Sequence, residues 1–297
     1  LRGAQNSTYL YAIYNQSLLK NKSIIFYNPE AKFNNKEVIK KFKRKFKTFP
    51  LKKEKKLIDD SLKKNKINYL YVQAGGEKNN WLSNSSKIVI HQIFPHFLSN
   101  LHQNVKGCIS PWLSKKVNNE KISCLPLIIE LAKTKKNLKK KLKIKKGNLV
   151  FGCHGGDSSF DLPFVKNTLV DIVKKNKKIS FIFLGIKKFY SHPQLIFVKG
   201  TSNDILKKKF LNTCDAMIYG RSLGESFGLS IAEFSILNKP IFLYSFSRHR
   251  SHYDFLSSKR FKEYNSKSSL VYLLNNFKNL DFNLKNSKNY TNYKPIY

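Results

Sequence analysis

Gly224-Glu225-Ser226-Phe227-Gly228-Leu229-Ser230-Ile231-Ala232-Glu233 decides how this chain is read. Two carboxylates stand eight positions apart, across a glycine-bearing loop that runs into an apolar helix. A loop handing over to a helix leaves the backbone N–H groups of the first turn without intrahelical partners. Together with the helix dipole they favour an anion such as a phosphate. Eight helical residues span roughly 12 Å, comparable with the separation of the sugar and the ribose in a nucleotide sugar. One carboxylate is then placed to accept from sugar hydroxyls and the other from ribose hydroxyls, with a diphosphate on the amides between. An isolated pair with this spacing fits equally well as two solvated glutamates on an amphipathic helix, so the flanking sequence has to decide.

Before the motif, Phe210-Leu-Asn-Thr-Cys-Asp-Ala-Met-Ile-Tyr219 reads as a helix end and then a short strand. After it, Phe234-Ser-Ile-Leu-Asn-Lys-Pro240 leads into the apolar strand Ile241-Phe-Leu-Tyr244. Strand, glycine loop, helix and strand make a βαβ unit with the candidate site at the carboxyl end of a parallel sheet, where open α/β sheets bind ligands.

At these residues the chain resembles the retaining glycosyltransferases of two-domain GT-B architecture, the large family 4 group. CDAMIYGRSLGESFGLSIAEFSILNKPIF, residues 214–242, is similar to that family's donor motif E-x-F-G-L-x-x-x-E followed by a small helix and x-P-I/V. The likeness is closest over about residues 205–245, looser over 148–204 and a matter of architecture in the N-terminal half. It implies an α/β fold of two Rossmann-like doubly wound domains facing a cleft. It also implies transfer of a sugar from a nucleotide-sugar donor to a glycan or lipid-linked acceptor, with retention at the anomeric carbon and no obligatory metal. On this pattern Glu225 faces the transferred sugar, and Ser226, Phe227, Gly228, Leu229 and Glu233 complete the donor side. In the family a histidine at the end of an N-terminal-domain strand contacts the donor sugar. His91, where the apolar strand Ile88-Val-Ile90 stops, is the matching residue; the plainer reading is a structural histidine at a strand end.

With 297 residues and 41% apolar content the chain suits two domains with packed cores. No apolar run approaches the roughly 18–20 residues that span a bilayer, and no secretory leader opens the sequence. Cys108, Cys124, Cys153 and Cys214 lack C-x-x-C spacing and read as reduced core thiols of a cytoplasmic protein. A site at the inner face of a membrane fits the same reading. The formal charge of +38 is extreme, but all except six of the 56 basic residues are Lys. Phosphate and nucleic-acid recognition recruits Arg for bidentate contacts, so the charge alone is poor support for a nucleic-acid partner, and none is expected. The abundance of Asn, Ile, Phe and Tyr leaves two sources of the charge open: genomic composition, or attraction to anionic substrates and lipid headgroups.

Strands alternating with helices predict an N-terminal Rossmann-like domain over 1–126 and a basic connection over 127–147, partly helical through Leu131, Leu138 and Leu142. A nucleotide-sugar domain over 148–280 and a tail over 281–297 that crosses back or is disordered complete the chain. The loop Arg2-Gly3 stands where a first strand normally feeds a glycine turn, so a strand is expected ahead of Leu1, and Gly3 is assigned to the acceptor side. In the second half, the strand from Asn148 ends in Cys153-His154-Gly155-Gly156, where two glycines permit close approach of a phosphate or simply make a turn. The family commonly has Arg or Lys in this loop; here Arg221, or Lys187 and Lys188, would have to neutralise the diphosphate. Arg248-His249-Arg250 is either a holder for an acidic acceptor or a solvated loop. The basic segment Lys36–Phe46 places Val38, Ile39, Phe42 and Phe46 on one face, for packing on its own sheet or for a peripheral membrane contact. No H-x-x-x-H or D-x-D spacing occurs near the glycine loops, so no metal and no cofactor beyond the nucleotide-sugar co-substrate is expected. Two rivals remain: a basic nucleic-acid-binding or catalytically inactive scaffold, and another GT-B enzyme such as a sugar-nucleotide epimerase.

Overall fold

A computed structural model describes residues 3–32, 34–75, 82, 85–95, 105–118 and 122–290. The chain divides into two compact units, one running to Ile128 and the other starting at Ile129.

The first unit contains α1 (Gly3–Ser17), β1 (Ile24–Tyr27), α2 (Lys36–Lys43), β2 (Lys47–Pro50), α3 (Lys55–Lys64), β3 (Tyr69–Ala74), β4 (Lys87–Gln92), β5 (Val105–Cys108), α4 (Pro111–Asn118) and β6 (Ser123–Cys124). Its strands form two parallel sheets, β1-β2 and β3-β4-β5-β6. Asn35 caps α2 by accepting from the Glu37 and Val38 amides, which satisfies two first-turn donors. Val38, Phe42 and Phe46 are buried with Ala12 of α1, against Tyr9, Ile13 and Ile25. The apolar face of α2 is therefore consumed inside its own unit and is not offered to a membrane. Among the described residues no helix is long and apolar enough to cross one.

The second unit contains β7 (Leu149–His154), α5 (Pro163–Lys175), β8 (Ile179–Leu184), β9 (Leu195–Val198), α6 (Asp204–Thr213), β10 (Ala216–Ile218), β11 (Gly224–Glu225), α7 (Leu229–Ser235), β12 (Ile241–Tyr244), β13 (His249–Arg250), α8 (His252–Phe255), β14 (Phe261–Tyr264) and α9 (Lys267–Asn275). Six strands make one parallel sheet in the order β9-β8-β7-β10-β12-β14. Every residue of β8, Ile-Ser-Phe-Ile-Phe-Leu, is buried, as a central strand covered on both faces requires. Phe151 packs at 5.7 Å between ring centroids from both Phe181 and Phe242, and burying each such ring contributes about 1.5–3 kcal/mol. The chain starts at the centre with β7, runs outward to β9, then returns and runs outward the other way from β10. The order reverses between β7 and β10, and the carboxyl ends of strands at such a reversal are where open α/β sheets bind ligands.

Cys153, on β7, and Cys214, just before β10, are at most 1% exposed. Gly152 between the strands is obligatory, because an added Cβ would stand 2.2 Å from Cys214 Sγ. Burial pushes both thiols well above the ordinary cysteine range, and it pushes Cys108 in the first unit up to about 11.

The basic stretch ahead of β7 forms no helix. The Leu138 amide donates to Thr213 Oγ1 at 2.8 Å, and Asn212 Nδ2 donates to the carbonyls of Thr134 and Lys136, each at 2.9 Å. Its backbone is spent on the end of α6, and Lys143 and Gly147 adopt positive φ of 52° and 87°, which a helix excludes.

Candidate functional site

The reversal of strand order brings the end of β7, the loop after β10 and α7 to one place. Tyr219 and Gly220 follow β10, and the chain then turns through Arg221 and Ser222 into β11. Asp161 pins this turn by accepting from the Ser222 amide and hydroxyl, each at 2.7 Å. β11 pairs in parallel with β13, Gly224 opposite His249 and Glu225 opposite Arg250. Ser251 Oγ donates to the Glu225 carbonyl at 2.6 Å. The backbone of Glu225 is thus fixed by the segment His249–Ser251.

The Glu225 carboxylate accepts from Tyr219 Oη and Arg221 Nη1, both at 3.1 Å on Oε1. Its side chain keeps 20% exposure, so one edge stays open. Burial raises its carboxyl above the ordinary value, against the pull of Arg221 and Tyr219. Arg221, expected to neutralise a diphosphate, is occupied by this carboxylate.

Gly228 then reverses the chain at φ 86°, a conformation that side chains with a Cβ adopt at a cost of about 1–2 kcal/mol. As the cap of α7, a glycine supplies no side-chain hydrogen bond to the first-turn amides. Ser226 and Phe227 before it are buried, and Leu229 and Ser230 after it are half-buried.

Glu233, eight positions past Glu225 but in α7, which begins only at Leu229, is 1% exposed. Lys207 Nζ from α6 donates to its Oε1 at 2.5 Å. His154 Nε2 lies 2.9 Å from Oε2, and among the described residues neither of these two buried atoms has an in-line hydrogen bond. The His154 ring is stacked on Phe234, 6.1 Å between centroids. Burial opposes ionisation of Glu233, but Lys207 and His154 outweigh it and hold the carboxyl below its ordinary value. The two carboxylates are therefore driven in opposite directions.

Gly155 and Gly156 extend from His154 and are exposed. Both amides are committed: Gly155 donates to the Leu184 carbonyl at the end of β8 at 3.1 Å, and Gly156 to Ser159 Oγ in its own loop at 2.8 Å. Gly155 also has to be small, since an added Cβ would come within 2.5 Å of Ser159. Of the two readings of this glycine pair, close approach to a phosphate or a turn, the amide bonds describe the turn. Lys187 and Lys188 are exposed; Lys188 reaches only Ser191, at 3.3 Å.

His91 departs from the sequence expectation. It is fully buried in the first unit, Nδ1 standing 2.7 Å from Tyr71 Oη and Nε2 2.7 Å from the Leu125 carbonyl. A carbonyl only accepts, so Nε2 carries the proton and Nδ1 accepts from Tyr71. Burial lowers its pKa to about 4. Both nitrogens are spent, which makes His91 a core residue here and no contact for a donor sugar. Gly3 is the first residue of α1 and not part of a preceding loop.

The structure thus gathers Arg221, Glu225 to Leu229 and Glu233 around one crevice, beside the Gly155-Gly156 loop, and adds Tyr219, Lys207 and His154. Lys207 was legible in part: at spacing i, i+3, i+4 it shares a helix face with the buried Phe210 and Leu211. Nothing in Lys207-Lys208-Lys209 read as composition separates it from its neighbours. Among the described residues no group of three or more His, Cys, Asp or Glu could hold a metal ion.

No protein-family model matches the chain, and no curated protein matches it. Solved structures do. A glycosyltransferase from Rickettsia africae aligns with a TM-score of 0.68 at 13% identity, over 95% of this chain and 86% of that one. HepE from Anabaena, in complex with UDP and glucose, aligns at 0.66 and 12%, over 92% and 85%. A structure described as a UDP-N-acetylglucosamine 2-epimerase from Listeria monocytogenes aligns at 0.58 and 8%, over 94% and 85%. At such identities the likeness establishes the fold: α/β, of the GT-B class, with Rossmann-like parallel sheets.

Proposed function

We propose that the chain is a metal-independent glycosyltransferase of the retaining, family 4 kind, moving a sugar from a nucleotide-sugar donor to a glycan or lipid-linked acceptor. One observation carries this reading. At the switch point of the second unit, two cation-held carboxylates of opposite electrostatic character flank a glycine turn at a helix start. Glu233, held ionised by Lys207 and His154, is assigned to the ribose hydroxyls, with Oε2, which has no hydrogen bond among the described residues, as the acceptor. First-turn amides of α7 face the diphosphate. Glu225, open on one edge, binds hydroxyls of the sugar being transferred. No side chain is assigned as nucleophile; the site orients the sugar and stabilises the departing diphosphate with amides and cations. That HepE shares the fold and was crystallised with UDP and glucose supports a uridine nucleotide as the first ligand to try.

Thermal shift against nucleoside diphosphates and nucleotide sugars tests the reading, because a ligand bound only by the folded state raises Tm by mass action. At least one nucleotide is expected to raise it, and to do so equally in excess EDTA. A chain that ignores every nucleotide but binds any polyanion in a steeply salt-dependent way is the basic scaffold instead. The Listeria structure keeps the epimerase alternative concrete; conversion of a sugar nucleotide in the absence of any acceptor would favour it.

A further inference from the structure

The segment 281–297 was expected to cross to the first domain or to be disordered, and 291–297 lie outside the described residues. Residues 283–290 run along the second unit and fasten to it repeatedly. The Asn283 amide donates to the Lys259 carbonyl at 3.0 Å, and the Ser257 amide donates to the Lys288 carbonyl at 3.0 Å. Arg260 is fully buried. Its Nε donates to the Ser287 carbonyl at 3.1 Å and its Nη2 to the Leu284 carbonyl, while Nη1 reaches the Ser235 carbonyl at 3.3 Å. Ser235 is the last residue of α7, so one guanidinium ties that helix end to the segment.

The other end of α7 is held as firmly. Tyr290 is fully buried, its ring 5.2 Å from Phe227 and 4.8 Å from Phe255 between centroids. Its hydroxyl donates to the Phe227 carbonyl at 2.5 Å. The next residue is Gly228, where an added Cβ would stand 3.2 Å from Tyr290 Oη and 3.4 Å from Glu225 Cβ. The turn is therefore enclosed between the tyrosine hydroxyl on one side and Glu225 on the other. A carbonyl fixed at Phe227 fixes the peptide plane leading into Gly228, and with it the aim of the α7 amides.

We infer that Tyr290 is a positioning residue for the candidate donor site, holding the Glu225–Gly228 turn from behind through the Phe227 carbonyl. A nucleotide sugar would meet a turn already set by the C-terminal segment, so the cost of ordering the turn falls on folding and not on binding. This role in catalysis rests on the glycosyltransferase reading, but the mechanical part can be tested without any ligand.

Tyr290→Phe keeps the ring and its packing and removes the hydrogen bond to the Phe227 carbonyl. Hydrogen exchange followed by mass spectrometry on the full chain should show amides of residues 224–231 exchanging at least tenfold faster, with β8 unchanged. Exchange at 224–231 equal to that of the unaltered chain overturns the inference. UDP and UDP-glucose then serve as probes. The variant is expected to bind both at least fivefold more weakly while its Tm without ligand falls by only a few degrees. Faster exchange with unchanged affinity would reduce Tyr290 to a structural strut. If the unaltered chain binds no nucleotide while the exchange result holds, the glycosyltransferase reading fails and the mechanical linkage stands. Should Tyr290→Phe fold poorly, Asn283→Ala and Ser287→Ala loosen the same segment at its exposed start, and the same peptides are followed.

Discussion

Burial lifts the Glu225 carboxyl, while Lys207 and His154 hold Glu233 low. The same side chain thereby receives two jobs, and the jobs are separable by substitution. Glu225→Gln keeps the shape but loses an anionic acceptor on the sugar side, where interactions strengthen in the transition state. A fall in kcat of about a hundredfold is expected, with nucleoside diphosphate affinity within a factor of about three. Glu233→Ala should weaken nucleoside diphosphate binding about ten- to a hundredfold, the worth of charge-assisted hydrogen bonds. Because Lys207 would be left without its partner, Glu233→Gln is the gentler version and should show the same direction. Steady-state kinetics and calorimetric titration on both variants check the pair; exchanged phenotypes would reverse the assignments.

The short elements around the turn depend on Gly228 more than on any other residue. Gly228→Ala places a Cβ at φ 86° against Tyr290 Oη and Glu225 Cβ. About 1–2 kcal/mol of stability should be lost, read as a lower midpoint in urea. Much of this architecture was legible in the sequence. Apolar runs such as Ile179–Leu184 and Leu195–Val198 coincide with β8 and β9, since strands of a parallel sheet covered by helices are rich in apolar residues. The glutamate–glycine motif likewise falls at the switch point, because loop-to-helix punctuation is local chemistry. Illegible were the contacts made across long separations. β11 and β13 are two residues each and exist only through pairing with one another. The periodicity of Leu131, Leu138 and Leu142 predicted a helix, but α6 captured that backbone first. His91 looked like a strand-end ligand because its two acquired partners, Tyr71 and Leu125, are 20 and 34 positions away.

Across the whole molecule, two histidines set the response to acid. His91 in the first unit is lowered to about 4 by burial, and His252 in the second to about 3 by burial and then by Arg250. Unfolded, both titrate near 6.5. Between these values the unfolded chain binds protons that the folded chain refuses, so stability falls as pH drops from about 6.5 toward 4. Each contributes on the order of 3 kcal/mol over that window. Among the described residues neither ring nitrogen of His252 has a hydrogen-bond partner, so His252→Phe should match the parent near pH 7.5 and exceed it at pH 5. Urea titrations at the two pH values check this; identical pH slopes for parent and variant would exclude His252 as a source.

The sequestered sulfurs carry a different consequence. Cys108 lies in one unit, and Cys153 and Cys214 lie in the other, all three shielded from solvent and poor in thiolate. An alkylating reagent reaches them only through an opening event, since the thiolate is the reactive form. The chain is accordingly its own chronometer. Adducts at Cys108 time the opening of the first unit and adducts at Cys153 or Cys214 that of the second, which orders the two events by mass spectrometry without an engineered probe.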